Sequence, residues 1–329
     1  MGVQTPQDVQ RVVDGLTDSS WAFSALVAAA EIGLLACLTP SCTPAEAAAR
    51  AGVTDALAKA LLDVLTSIGL ANTQGNTYVA APGLGEFLRT SPSDDILAWL
   101  RSNHFQSRQM VDAARRGQLQ PGWIHTDPEI LRAQGRTGRA AVHALASQVF
   151  PSVPGLQECL RSPGAAFLDV GCGVGIISIE MCRIYPHLSV VGLEPGEVQA
   201  AEAARNIAEA GFEERIEVRP QRLESLTDRD AFDLAYVPQV VMPIAAVTSG
   251  LPRVRDALHA GGWVLVVAIS VPGNDLHAAT TRLLNVMWGG SPLLAHEVVE
   301  MTKAAGFESV QVGGAPGSLL KAILGRRPL

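Results

Sequence analysis

Cysteine, charge and aromatic residues are all scarce in this chain of 329 residues. The five cysteines, Cys37, Cys42, Cys159, Cys172 and Cys182, form no CxxC pair and follow no regular spacing. That argues against a disulfide framework and against a zinc site; reduced thiols, no bound metal and a cytoplasmic setting are expected. Charged residues make up 17% and the net charge is -7, with scattered arginines whose only runs are pairs such as Arg115-Arg116 and Arg326-Arg327. No basic face for nucleic acid follows from such a pattern. The chain does not open with a basic segment followed by an apolar one, so no signal peptide is read. The longest apolar stretch, WAFSALVAAAEIGLLACL from Trp21 to Leu38, is broken by Glu31 and rich in alanine. A membrane span needs about 20 mostly apolar residues, so this stretch reads as a buried or dimer-forming helix. Internal repeats and low-complexity segments are missing as well. What is present is a 48% hydrophobic composition, which marks a globular protein long enough for two domains.

Three regions follow from the local patterns. Residues 1–93 read as helices followed by a small hairpin. Thr43 is an N-cap with Pro44 at the first helical position and Glu46 completing a capping box. The next helix opens on Thr54 or Asp55, and its Leu57, Leu61, Leu62, Leu65 and Ile68 keep helical spacing up to Gly69. A Gln74-Gly75-Asn76 turn then joins two short extended pieces. Helices followed by a hairpin outline a winged-helix module. Its third helix carries only Lys59 against Asp55 and Asp63, which favours protein contact, as in a dimerisation domain, over DNA binding. Residues 94–165 carry few strand signals and read as a helical linker or cover for a substrate pocket. Residues 166–329 alternate strands with helices, the pattern of an α/β domain with a Rossmann-like, doubly wound and mostly parallel sheet. Its last two strands have no helix between them and are expected to form an antiparallel edge hairpin.

The chemistry concentrates in FLDVGCGVGIISIEMC, Phe167 to Cys182. An apolar strand ends on Asp169, Gly171, Gly173 and Gly175 follow at alternate positions, and a helix begins. Three ligand readings compete. A dinucleotide turn needs G-x-G-x-x-G/A, but the third glycine comes one residue early and the required position holds Ile176. An acid followed by G-x-G-x-G instead suits S-adenosylmethionine, whose ammonium a carboxylate such as Asp169 can meet. The next strand ends on Glu194, placed to accept hydrogen bonds from ribose hydroxyls, with Pro195 beside it. The third reading is a turn that only joins strand to helix; two acids flanking three spaced glycines weigh against it.

On these motifs the chain resembles the class I S-adenosylmethionine-dependent methyltransferases, and within them the small-molecule O-methyltransferase-like group with an N-terminal winged-helix dimerisation domain. FLDVGCGVG, VVGLEP, FDLAYVP, ALHAGGWVLV and AAGFESVQV match successive motifs of that group's catalytic domain, and WAFSALVAAAEIGLLACL its first dimerisation helix. The resemblance implies a homodimer, S-adenosylmethionine as donor with S-adenosylhomocysteine as product, and small acceptors such as phenols, polyketides, amines or enolisable carbons. It departs from the pattern in two places. Gln221 or Arg222 stands where the group places an acid for the adenine amino group; an amide can accept that bond, whereas Arg222 has donors only. Where the group carries a His-Asp pair after the fourth strand, counting from Asp233 lands on Met242 and Pro243, which cannot take a proton. The usual bracing Glu is likewise replaced, by Pro292, Leu293 and Leu294.

Candidates for a substitute base come from the helical cover: His125 and His104 first, with Asp127, Glu129 and His143 beside them. A turn into a helix capped by Thr126 or Asp127 is the competing reading of PGWIHTDPE, and packing that of His104 and His143. Trp123, His143, Tyr236, Gln239, Met242, Trp288 and His296 are read as pocket lining. His259 is read as a helix C-terminal group. The reading that results is a methyltransferase for a fairly apolar small molecule, with O-methylation favoured over C- or N-methylation, in natural-product biosynthesis. Two others stand beside it: a relative that keeps the cofactor but catalyses a rearrangement or cyclisation, and a winged-helix regulator that senses a metabolite.

Overall fold

The computed structural model describes residues 3–90, 93–117, 126, 131, 135, 138–139, 141–313 and 319–329. Its contacts divide the chain into two compact units, Met1–Gln109 and Met110–Leu329. The division falls inside one helix, whereas the sequence pattern placed its boundaries after residues 93 and 165.

In the first unit, helix α1 (Pro6–Glu31) starts at a capping box made by Thr5 and Asp8. A left-handed Gly33 breaks it from the short α2 (Leu34–Cys37). Helix α3 (Pro44–Ala51) shows the expected capping box, with Thr43 accepting from the Glu46 amide, and α4 (Asp55–Ser67) is capped by Thr54. Strands β1 (Ala71–Gln74) and β2 (Thr77–Ala80) pair antiparallel around the Gly75 turn. Ala29, Leu34, Leu38, Ala47, Leu62 and Leu65 are fully buried in one cluster. Helices α5 (Pro82–Thr90) and α6 (Ser93–Arg116) follow.

The second unit is built on a seven-stranded sheet of order β5-β4-β3-β6-β7-β9-β8. The strands are β3 (Ala166–Val170), β4 (Ser189–Leu193), β5 (Ile216–Arg219), β6 (Phe232–Val237), β7 (Leu258–Ile269), β8 (Glu308–Gly313) and β9 (Leu320–Arg326). The first five are parallel; β9 runs antiparallel between β7 and β8, so the expected edge hairpin is present. Helices α7 (Leu156–Arg161), α8 (Ile176–Ile184), α9 (Glu197–Ala210), α10 (Ile244–Ala257), α11 (Leu276–Met287) and α12 (Ala295–Ala304) connect them. Alternation along the strands divides the core: Phe167, Val190, Leu234 and Leu265 pack on one face, Leu168, Leu193, Ala235 and Val264 on the other.

Two local expectations are corrected. His259 is not a helix C-terminal group: α10 ends at Ala257, and Leu258 already pairs with Phe232, which draws His259 into β7. Helix α11 had not been read from the sequence. Its signal was Asp275, whose side chain accepts the Ala278 amide as an N-cap.

Candidate functional site

The sheet order reverses between β4 and β6, on either side of β3, and this switch point is where ligands of open α/β sheets bind. The glycine turn leaves β3 there. Gly171, Gly173 and Gly175 all hold left-handed φ angles, 65°, 57° and 78°, which side chains with a Cβ adopt at a cost of about 1–2 kcal/mol. Gly175 also packs closely, since a Cβ on it would lie 3.4 Å from the Ala203 Cβ on α9. Asn206 of α9 donates to the Val174 carbonyl at 2.9 Å and fastens the turn from outside.

Asp169 is the penultimate residue of β3. It is 0% exposed, with Gly192 of β4 and Tyr236 of β6 as its register partners. Its Oδ2 accepts the Ser178 hydroxyl of α8 at 2.6 Å, while its Oδ1 has no hydrogen-bond partner. Burial raises the Asp169 carboxyl to about 7; the Ser178 hydrogen bond opposes that and the Glu194 charge adds to it. Glu194 follows β4. One oxygen accepts the Gly173 amide at 3.0 Å, the other the Gly196 amide at 2.8 Å. Burial raises its pKa as well, against those two hydrogen bonds. No cationic side chain among the described residues pairs with either carboxylate. The two carboxylates are therefore left as acceptors that could meet a ligand bringing its own positive charge and hydroxyl donors. Pro195 is exposed beside Glu194. At the end of β5, the Gln221 amide nitrogen donates to the Ser225 carbonyl at 2.7 Å, which leaves its carbonyl oxygen as an acceptor. Arg222, the other adenine-contact candidate, is exposed and has donors only.

Within β6, Tyr236 is 9% exposed, and burial with the neighbouring Asp169 charge keeps its phenol protonated. Gln239 is fully buried and donates to the Ser291 carbonyl at 2.8 Å; Asn285 of α11, equally buried, donates to the Val240 carbonyl at 2.6 Å. Their carbonyl oxygens, Gln239 Oε1 and Asn285 Oδ1, have no partner. Sequence reasoning singled out Gln239 but missed Asn285, whose helix it had not read. Met242 packs on the core and Trp288 on a small cluster with Val240 and Ile269. Met242 and Pro243 sit between β6 and α10, with no acid or base of their own.

The remaining histidines divide. His104 lies on α6 in tilted contact with Phe23 of α1, ring centroids 6.2 Å apart, so it has a packing partner within the first unit. His143 stands 3.2 Å from a carboxylate oxygen of Glu180 on α8, which also receives Arg139 and Arg183. That ties His143, itself exposed, to a cluster of charges around the buried Glu180, a partner that the sequence pattern does not reveal. His296 is exposed on α12. Trp123, His125, Asp127 and Glu129 lie outside the described residues. No group of potential metal ligands occurs among the described residues.

Comparison with known proteins bears on this arrangement. A family model described as a methyltransferase domain matches residues 167–262, from the start of the glycine motif to the first residues of β7. A ubiquinone biosynthesis O-methyltransferase of Methylobacterium sp. (strain 4-46) is 30% identical over 108 residues, 32% of this chain and 42% of that protein. A trans-aconitate 2-methyltransferase of Methylobacterium nodulans is 28% identical over 146 residues, 44% of this chain and 53% of that protein. The chain thus spans about half the length of these relatives. Solved structures match it throughout. Mitomycin 7-O-methyltransferase MmcR superposes with a TM-score of 0.72 at 18% identity, covering 97% of this chain and 98% of its own. Human N-acetylserotonin methyltransferase, in complex with S-adenosylmethionine, gives 0.70 at 19% identity over 100% of both chains. CalO1, a methyltransferase in calicheamicin biosynthesis, with S-adenosylhomocysteine bound, gives 0.67 at 20% identity over 99% and 100%. The likeness to S-adenosylmethionine-dependent methyltransferases therefore holds over residues 167–262 in sequence and over the whole chain in fold.

Proposed function

We propose that this chain is an S-adenosylmethionine-dependent methyltransferase that acts on a fairly apolar small molecule and works as a homodimer through its N-terminal domain. The observation that carries the reading is the pair Asp169, fully buried, and Glu194, half-buried, two acids without cationic partners among the described residues on either side of a left-handed glycine turn. The orphaned Asp169 Oδ1 suits an ammonium donor, Glu194 suits ribose hydroxyls, and the Gln221 carbonyl suits an adenine amino group. Gly171, Gly173 and Gly175, with Pro195 at the rim, leave room for the ligand to approach the backbone. When bound, the cofactor supplies a methyl group already activated on a sulfonium. The chain's own work is then to hold an acceptor in line with that methyl and to keep water away, which alone supplies much of the acceleration.

Met242 and Pro243 shape the choice of acceptor. With no base at that position, the reading favours nucleophiles that need little deprotonation: an acidic phenol, a neutral amine or an electron-rich carbon. O-methylation in natural-product biosynthesis is the preferred form, in keeping with the O-methyltransferases and biosynthetic enzymes of the same fold. His125 remains the candidate base if one is used. Homodimer formation is supported by α1, whose Val9, Val12, Val13, Leu16 and Trp21 are exposed along its length. A winged-helix regulator fits less well, because Lys59, the one basic residue on α4, is paired with Asp63 at 2.6 Å.

The same apolar replacement supports the second reading, a rearrangement or cyclisation without methyl transfer. Incubation with a panel of phenols, amines and enolisable ketones, followed by mass spectrometry, separates the two. Methyl transfer adds one methyl mass to the acceptor and releases S-adenosylhomocysteine. A product of unchanged mass, with the cofactor intact, refutes methyl transfer.

A further inference from the structure

Asp169 is the most deeply buried acid among the described residues. It lies one residue before the end of the central strand β3, and groups from the neighbouring elements act on it. From α8 comes the neutral Ser178 hydroxyl, at 2.6 Å. From the end of β4 comes the Glu194 carboxylate, whose charge acts on it. From β6 comes the Tyr236 phenol, and from the turn itself the Cys172 thiol, both kept protonated chiefly by burial. None of these is a cation. The donors to Asp169 are therefore neutral and come from Ser178 alone, its hydroxyl and, more weakly, its amide, while Oδ1 has none. An ionised carboxylate in that position is costly, since each buried ion loses several kcal/mol of hydration and a second acid raises the cost. A proton on the carboxyl removes the charge with no change of structure. The alternative is a cation brought from outside.

We propose that Asp169 is a proton-exchange site: without ligand its carboxyl holds a proton, and when the ammonium of an amino-acid-bearing cofactor binds at the turn the carboxyl gives that proton to solvent and becomes the ammonium's counter-ion. No other bond forms or breaks. The inference rests on the assignment of an S-adenosyl cofactor and adds how that cofactor is held. It has two consequences. Binding releases a proton, and affinity rises with pH until the ligand-free carboxyl is ionised, below which it falls tenfold for each pH unit. A nucleoside that lacks the amino-acid portion gains nothing from the exchange.

The test is calorimetric titration of the full chain with S-adenosylhomocysteine in phosphate and in imidazole buffer near pH 6.5, where the ligand's amino group, of pKa about 8, is already charged. Burial of Asp169 places its titration at about 7, so more than half a proton per site is released and the two buffers give different heats. Titration with 5′-methylthioadenosine, and of Asp169→Asn with S-adenosylhomocysteine, gives equal heats in both. If the asparagine variant does not fold, the wild-type pH series still decides, set against the same series with 5′-methylthioadenosine. Saturable binding of S-adenosylhomocysteine with equal heats in both buffers and a flat pH series overturns the proton exchange and leaves the cofactor assignment standing. No binding of S-adenosylhomocysteine at any pH overturns the assignment itself, and the exchange with it.

Discussion

Glu194 accepts the Gly173 amide at 3.0 Å, so the acid that follows β4 holds the glycine turn that leaves β3. Its other oxygen holds the Gly196 amide at 2.8 Å, at the start of α9. One carboxylate thus fixes both loops that a nucleoside would touch. Glu194→Ala removes those bonds and the acceptor for ribose together. Hydrogen bonds to charged groups contribute about 1.5–3 kcal/mol each, so affinity for S-adenosylhomocysteine falls at least about tenfold. Calorimetry on the variant measures it; unchanged affinity removes Glu194 from the cofactor site.

Much of this site was legible in the sequence because its signals are local. Asp169, the three glycines and the capping box of Thr43 and Glu46 each lie within a few residues of one another, and short-range backbone geometry dictates them. The β8–β9 hairpin was legible for the same reason. The rest depends on distant partners. Glu180 gives no sign in the sequence that it gathers Arg139, His143 and Arg183, so His143 read as a pocket residue. Asn285 reads as an ordinary helical residue until the Val240 carbonyl, 45 positions away, is folded against it.

Stability should report the charge state of Asp169. Its carboxyl titrates near 7 when folded and near 3.9 when unfolded, so between those values the folded chain binds the extra proton. Stabilisation from the protonated group is complete below about pH 4 and lost as pH rises towards 7. Relative to Asp169→Asn, the ligand-free wild type therefore loses stability over that range, at up to about 1.4 kcal/mol per pH unit, and levels off above it. Urea unfolding of both proteins across the range checks this; parallel curves contradict a buried, raised carboxyl.

Gly290 lets two loops meet. A Cβ there would run into the Val240 carbonyl oxygen and the Asn285 amide nitrogen, 2.5 Å away for the latter, which are bonded to each other. Gly290→Ala forces that bond apart and buries an unpaired carbonyl, at a cost of about 1–3 kcal/mol. The urea midpoint should fall accordingly, and an unshifted midpoint shows that the tie between the β6–α10 loop and α11 carries little.

The apolar face of α1 should be an interface. Leu16 is 59% exposed and Trp21 74%. Placing a charge on that face, as Leu16→Glu with Trp21→Glu, shifts the sedimentation mass from dimer towards monomer while the far-ultraviolet spectrum holds. Wild type sedimenting as a monomer contradicts the dimer.

The central claim is that the glycine turn with its two acids binds an S-adenosyl ligand and not a dinucleotide. Calorimetric titration of the wild-type chain with S-adenosylhomocysteine, and separately with NAD, tests it most directly. The account predicts one saturable site per chain for S-adenosylhomocysteine and no heat with NAD; saturation by NAD, or none by S-adenosylhomocysteine, contradicts it.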